Sequence, residues 1–156
     1  MLLAVSDIEI KAVAFDSAVA QALVTAALAD LGQRYGGSGD DTPVSAADFE
    51  PPRGTFLVAY AGGEPVGCGA WRRHGDAAEL KRMFTAPAAR GRGVARRVLR
   101  AVEDSAREHG LTRIVLECGW KQPEAIALYK SSGYDVIENF GFYKDHPGTI
   151  SFGRDL

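Results

Sequence analysis

The stretch Leu80-Lys81-Arg82-Met83-Phe84-Thr85-Ala86-Pro87-Ala88-Ala89-Arg90-Gly91-Arg92-Gly93-Val94-Ala95-Arg96 decides the fold. Its first residues read as the end of a strand running from Ala78 to Thr85. Pro87 breaks that strand, because proline has no N–H to give a ladder. From Val94 to Glu108 the residues Val94, Val98, Leu99, Val102 and Ala106 make one apolar stripe at helical spacing. Gly110 supplies the stop. Between strand and helix, small residues at 91, 93 and 95 let a ligand approach the backbone closely. The unpaired amides of the helix's first turn face an anion there. Arg90, Arg92, Arg96 and Arg97 add positive charge, which suits a pyrophosphate and a ribose phosphate. Taken alone, the same turn reads equally well as a solvated, basic helix start. Other phosphate motifs fail: GxxxxGK(S/T) is absent, and arginine at 96 occupies the last position of the dinucleotide pattern GxGxxG.

Upstream, Ile8 to Phe15 alternates as an opening strand. Asp16 or Ser17 then caps a helix with Val19, Leu23, Val24, Ala27, Leu28 and Leu31 on its apolar side, stopped at Gly36-Gly37. A polar, breaker-rich loop spans Gly36 to Gly54, where Ser45 and Asp48 suit one capped helical turn. Loops of this length in compact domains are usually functional or mobile. Thr55 to Tyr60 and Val66 to Trp71 form a hairpin around Gly62-Gly63. Downstream, Ile114 to Cys118 is a β-branched strand, and Pro123 opens a helix that ends at Gly133. Two short strands, near Asp135 to Glu138 and Thr149 to Gly153, close the chain around Phe140, Phe142 and Tyr143. This order implies one α/β domain over residues 1–156: a single mixed, mostly antiparallel sheet with helices on both faces.

Composition narrows the function classes. At 156 residues, with 46% hydrophobic and 24% charged residues, the chain is globular and fits one domain. A net charge of -2 gives no global attraction to nucleic acid or anionic membranes. Cys68 and Cys118 have no metal-ligand spacing and read as reduced thiols of a cytoplasmic protein. His74, His109 and His146 never approach HExxH spacing, so no metal is expected. Met1 to Val5 is apolar without a basic flank and reads as neither a signal peptide nor a membrane span.

The pattern R-x-x-G-x-A at Arg90, Gly93 and Ala95, behind the strand Leu80 to Thr85 and Pro87, resembles the central motif of the GNAT superfamily of N-acetyltransferases. Leu116-Glu117, followed by Gln122-Pro123-Glu124-Ala125-Ile126-Ala127-Leu128-Tyr129 and on to Gly133-Tyr134, looks like that family's next strand and helix. The resemblance implies a GNAT-like fold and transfer of an acetyl group from acetyl-CoA to a primary amine. It implies that the backbone of Met83, Phe84 and Thr85 binds the pantetheine arm. The amides of Gly91, Arg92, Gly93, Val94, Ala95 and Arg96, with Arg90, would take the pyrophosphate. Gln122 stands where the family usually has a cofactor-contacting asparagine, and Tyr129 matches a tyrosine that protonates the departing thiolate. A catalytically degenerate acyl-CoA-binding regulatory domain is the alternative. Family members often dimerise, but no interface is specified by this sequence.

The reaction sets three tasks: deprotonate the amine, stabilise the oxyanion and protonate sulfur. Glu117 is the first candidate base, since it ends a strand where open α/β sheets place ligands, and it also matches a glutamate used so in some family members. Glu79 is the second. Either glutamate also reads as a structural ion pair with Lys81, Arg82 or Arg113. Strand alternation is expected to put Glu79, Lys81 and Met83 on one face, with Leu80, Arg82 and Phe84 on the other. Tyr129 follows Gln122 by seven residues, so both face one side of the helix; packing against Ile126 is its other reading. Cys118 lacks a partnering histidine and reads as filling. The acceptor is a small-molecule or peptide amine. Asp40, Asp41, Asp48 and Glu50 suggest that it is cationic.

Overall fold

The computed structural model describes residues 7–156, so the apolar run Met1 to Val5 lies outside the described residues. Strand β1 is Ile8–Val13, followed by helix α1, Ala18–Tyr35. The Ser17 side chain caps α1 by accepting from the Ala20 N–H at 3.3 Å. Inside the loop that follows, Ser45 and Asp48 form a reciprocal capping box on a single helical turn, as their spacing implies. Then come β2 (Gly54–Ala61), β3 (Glu64–His74) and β4 (Ala77–Thr85), each antiparallel to its neighbour. Helix α2 spans Val94–Glu108, β5 Arg113–Gly119 and α3 Pro123–Ser131; β6 (Asp135–Ile137) and β7 (Thr149–Asp155) complete the sheet.

The seven strands lie in the order β1-β2-β3-β4-β5-β7-β6. Pairing is antiparallel throughout except between β4 and β5. On one face, Val94, Val98, Leu99, Val102 and Ala106 of α2 pack with Leu57, Ala59, Trp71 and Leu80, and Tyr129 of α3 joins them. On the other, Ala20, Leu23 and Val24 of α1 pack with Phe56, Val58, Cys68 and Ala70. The sheet is therefore covered on both sides, as its element order requires. Among the described residues, no helix is long and apolar enough to cross a membrane.

Candidate active site

Strands β4 and β5 pair only at Ala78 with Ile114 and Glu79 with Val115. Beyond those residues they diverge, and the cause lies in β4. Between Cys68 and Ala70 of β3, the register passes from Phe84 to Lys81, so β4 carries one extra residue. Arg82 absorbs it with φ at 59°, a left-handed conformation that costs about 1–2 kcal/mol for a residue with a Cβ. A bulge bends its strand and increases the twist. The resulting wedge opens into a cavity of about 460 Å³. One wall is Leu80 to Phe84 and the other is Leu116 to Gly119, with α1 and α3 contributing Leu28, Tyr35, Gln122 and Tyr129.

The bulge corrects the expected alternation. Lys81 and Arg82, adjacent in sequence, both reach Asp40. Phe84 packs with the α1-side core, whereas Met83 packs with the α2-side core. The role expected of Glu79 as a second base is also corrected. Its carboxylate is only 3% exposed, accepts from Arg72 Nε at 3.0 Å, and does not line the cavity. Arg72 in turn holds Asp48 at 3.2 Å and the Pro43 carbonyl at 2.8 Å. Glu79 therefore anchors the loop between α1 and β2.

Glu117 lines the cavity. Its Oε2 accepts from the Tyr143 N–H at 3.0 Å, while Oε1 is buried without a partner and lies against Gly141. Burial pushes its pKa above the usual carboxylate value; the Tyr143 N–H and the Lys81 charge oppose that, and nearby Glu79 and Asp40 reinforce it. Tyr129 is both a packing residue and a wall of the cavity. Its ring packs on Tyr134 and Phe152, with centroids 5.7 and 5.8 Å away, and it also lines the cavity. Its hydroxyl makes no hydrogen bond among the described residues. Burial pushes the phenol pKa up, so the group stays protonated.

Gln122 caps the start of α3, lines the cavity, and donates from Nε2 to the Tyr35 hydroxyl at 3.3 Å. That hydroxyl also accepts from the Lys121 N–H at 3.1 Å. Tyr35 reaches this position because residue 119 is glycine; a Cβ there would lie 1.9 Å from the phenol oxygen. At the far end of β4, Gly93 caps α2 with φ at 79°. The first turn closes from the Arg97 N–H to the Gly93 carbonyl at 3.1 Å, which leaves the amides of Val94, Ala95 and Arg96 without intrahelical partners. The arginines are not equivalent. Arg90 donates to the Thr85 carbonyl at 3.0 Å and pairs with Asp30 at 3.5 Å. Arg96 holds Ser131 and Ser132, and Arg97 reaches the Ile8 carbonyl. Of these four, Arg92 alone makes no hydrogen bond or ion pair among the described residues.

The end of the cavity around Asp40 contains what sequence reasoning missed. Asp40 Oδ1 accepts from the Thr42 N–H at 2.9 Å, the Thr42 hydroxyl at 2.6 Å and the Tyr143 hydroxyl at 3.1 Å. Its Oδ2 faces Arg82 Nη1 and, at 3.6 Å, Lys81 Nζ. Burial opposes ionisation, but Lys81, Thr42 and Arg82 outweigh it and hold the Asp40 pKa at about 2. Two of this loop's carboxylates are matched internally, Asp40 by two cations and Asp48 by Arg72, and Asp41 accepts from the Ser38 hydroxyl. Asp-Asp at 40–41 was visible in the sequence; its partners, 41 to 103 residues away, were not.

The two tryptophans and the two cysteines lie in the packing or at the rim. Trp71 is fully buried and donates from Nε1 to Ser105 at 2.9 Å. Trp120, 59% exposed, stacks against Lys121 beside Gly148. Cys68 and Cys118 are free and buried, with burial pushing their thiols up to about 12 and about 11, so neither is a ready thiolate. Among the described residues, no three His, Cys, Asp or Glu side chains are placed to hold a metal ion.

Residues 19–134 match the model of the acetyltransferase (GNAT) family. The chain belongs to that family. Its relatives include an "IAA acetyltransferase" of Azospirillum brasilense, 45% identical over 103 residues that cover 65% of this chain and 67% of the relative. An uncharacterized N-acetyltransferase of Bacillus subtilis is 34% identical over 122 residues, covering 72% and 79% of the two chains. In fold, the chain resembles an acyl-CoA N-acyltransferase structure from Klebsiella pneumoniae, with a TM-score of 0.80, 29% identity, and coverage of 96% and 97%. A fold neighbour from Thermoplasma acidophilum, 16% identical with a TM-score of 0.73 over 96% of this chain and 99% of that one, is seen in complex with coenzyme A. The GNAT architecture expected from residues 80–134 is thus the observed one.

Proposed function

We propose that this GNAT protein transfers an acetyl group from acetyl-CoA to a primary amine, by direct attack within a ternary complex in the cytoplasm. The observation that carries this reading is the wedge between β4 and β5, with a desolvated carboxylate and an unbonded phenol on its walls. The free strand edge of Met83, Phe84 and Thr85 offers backbone groups to the pantetheine arm. The amides from Gly91 to Arg96, with Arg92 beside them, suit the pyrophosphate. The helix dipole adds to that attraction.

Glu117 takes the proton from the acceptor ammonium. A lysine-like amine has a pKa near ~10.4, so the amine needs a base at neutral pH. Raising the carboxylate pKa by burial makes Glu117 a stronger base. The neutral amine attacks the thioester carbonyl, the C–N bond forms, and the carbonyl electrons move onto oxygen. A main-chain amide near Phe84 meets that charge. Collapse breaks the C–S bond, the Tyr129 hydroxyl donates to the departing sulfur, and the nitrogen sheds its extra proton, which restores the phenol through solvent. A thiol has a pKa near ~8.5 and its anion leaves without full protonation, so Tyr129 assists without being indispensable.

Steady-state thiol release over a pH series tests the assignment. Tyr129→Phe is expected to lower kcat about 10²-fold, the lower end for general acid–base catalysis, with little change in KM for acetyl-CoA. Glu117→Gln is expected to lose most at low pH and to recover partly as the amine deprotonates. Full turnover by Tyr129→Phe at every pH, with chemistry rate-limiting, would reduce Tyr129 to a packing residue. A protein that binds CoA but releases no thiol with any amine would be the degenerate binding domain instead.

A further inference from the structure

The acceptor end of the cavity holds more hydrogen-bond donors than its protein acceptors use. Lys81 and Arg82 both line it, with side chains only 7% and 5% exposed. Lys81 has three N–H donors and makes one hydrogen bond, to the Thr42 hydroxyl at 3.2 Å. Arg82 has five N–H donors and makes one, to Asp40 Oδ2; its Nε is buried with no partner at all. The one carboxylate between them is already occupied on Oδ1 by three donors. Buried polar groups are ordinarily satisfied, and cationic donors left without acceptors are costly.

Lys81 and Arg82 both face Asp40, and Glu117 lines the same cavity. Burial pushes the Lys81 pKa below its usual value; Asp40 and Glu79 oppose that, and Arg82 and Arg72 reinforce it. The other carboxylates near the cavity are engaged elsewhere: Asp30 by Arg34 and Arg90, Asp41 by Ser38 in the exposed rim. Glu79 is held by Arg72. His146 lines the rim and its Nδ1 accepts from the Gly148 N–H at 3.2 Å. A polyamine would bring cationic charge against Lys81 and Arg82. A zwitterion presents its ammonium to Glu117 and an anionic group to the two cations.

We infer that the acceptor is a small amino acid, with its carboxylate bound by Lys81 and Arg82 and its amine delivered to Glu117. This rests on the acetyltransferase reading of the same cavity and names the acceptor class that the reading leaves unassigned. Lys81 and Arg82 are specificity-determining residues in this arrangement. Arg82 reaches the site because the bulge brings two successive cations to one side of β4. Charge-assisted contacts of this kind are roughly twice as strong as neutral ones and select for carboxylate geometry.

The test compares α-amino acids with their methyl esters and their decarboxylated amines, each as a matched set. With acetyl-CoA and the intact chain, kcat/KM for at least one free amino acid is expected to exceed that of its ester and amine by about tenfold or more. Lys81→Met is expected to remove that preference by raising KM for the amino acid, with KM for acetyl-CoA unchanged. Lys81→Arg, which keeps the charge beside Asp40, retains a preference and controls for misfolding. Thiol release that favours the decarboxylated amines overturns the inference and leaves the acetyltransferase reading intact. Binding to the CoA-saturated protein, measured by calorimetry, decides the matter even without turnover. Amino acids binding at least about tenfold tighter than their amines supports the carboxylate site, and equal or weaker binding overturns it.

Discussion

The two ends of the β4–β5 wedge are built by opposite means. At the end proposed for the cofactor, the chain needs only a strand, a short turn and the first turn of α2, all within residues 83–97. The groups offered there are main-chain amides, fixed by the left-handed glycines at 91 and 93. At the end proposed for the acceptor the groups are side chains, and they come from four separate segments. Asp40 from the α1–β2 loop, Lys81 and Arg82 from β4, Glu117 from β5 and Tyr143 from the β6–β7 loop meet in one network. Tyr143 joins two of them, since its N–H holds Glu117 while its hydroxyl donates to Asp40 and accepts from the Asp41 N–H. Local backbone geometry suits a ligand part common to a whole family. A side-chain network changes with a few substitutions and suits an acceptor that differs between members.

The comparison predicts that the acceptor end is the more fragile. Removing the Asp40 carboxylate leaves Lys81 and Arg82 buried with one counter-ion fewer. Breaking a buried pair from one side costs about 3–5 kcal/mol. Asp40→Ala is therefore expected to lower urea-unfolding stability by that order, and the loss should fall on the loop between α1 and β2. A stability close to that of the unsubstituted chain would mean that the network is not what holds this loop.

The same carboxylate gives the acceptor end an acid-sensitive component. Its folded pKa of about 2 lies below the unfolded value near ~3.9, so ionised Asp40 stabilises the fold. That contribution, about 2 kcal/mol, is fully present above the unfolded pKa and is lost as pH falls through the folded one. Unfolding followed from pH 5 to pH 2 should show a decline that Asp40→Asn lacks. An equal decline in the variant would assign the acid sensitivity to other carboxylates.

The cofactor end breaks differently. Gly93→Val places a β-branched side chain at φ of 79° and in the path of a phosphate group. CoA affinity is expected to fall by more than about tenfold, while the fold survives because residue 93 lies in the exposed turn. Calorimetry on the folded variant decides this, and near-normal affinity would remove the loop from the phosphate site.

This contrast also explains what was legible beforehand. The strand, turn and helix around residues 80–108 follow local rules, and so does the capping box at Ser45 and Asp48; each is observed where its residues place it. The face alternation of β4 failed for a local reason that no periodicity reveals. Arg82 adopts a left-handed backbone, and nothing about an arginine announces that. Glu117 and Glu79 were the first and second candidate bases in the sequence, and each also read as a structural ion pair. Their difference arises from partners: Arg72 reaches Glu79 from the paired position on β3, whereas Glu117 meets only a backbone N–H. Asp40 looked like solvent-facing charge because its two cations are more than forty residues away.

The smallest expected effect separates catalysis from stability at Glu117. Its pKa is raised by burial, so the protonated form is favoured in the folded chain. A carboxyl raised in this way destabilises the ionised state, and the penalty appears as pH rises through the folded pKa. Below the ordinary carboxylate range both states hold the proton and the penalty vanishes. Glu117→Gln keeps an oxygen that accepts from the Tyr143 N–H but carries no charge at any pH. It is therefore expected to raise Tm slightly at pH 7 and to lose that advantage as the pH approaches 4, while acetyl transfer falls. The side chain is partly open to water, which keeps the gain small. Thermal unfolding at the two pH values, set beside thiol release by the same preparations, reads both effects. A variant that is destabilised at pH 7 would show Glu117 to be a structural anchor for the β6–β7 loop, held for its bond to Tyr143 and not for proton transfer.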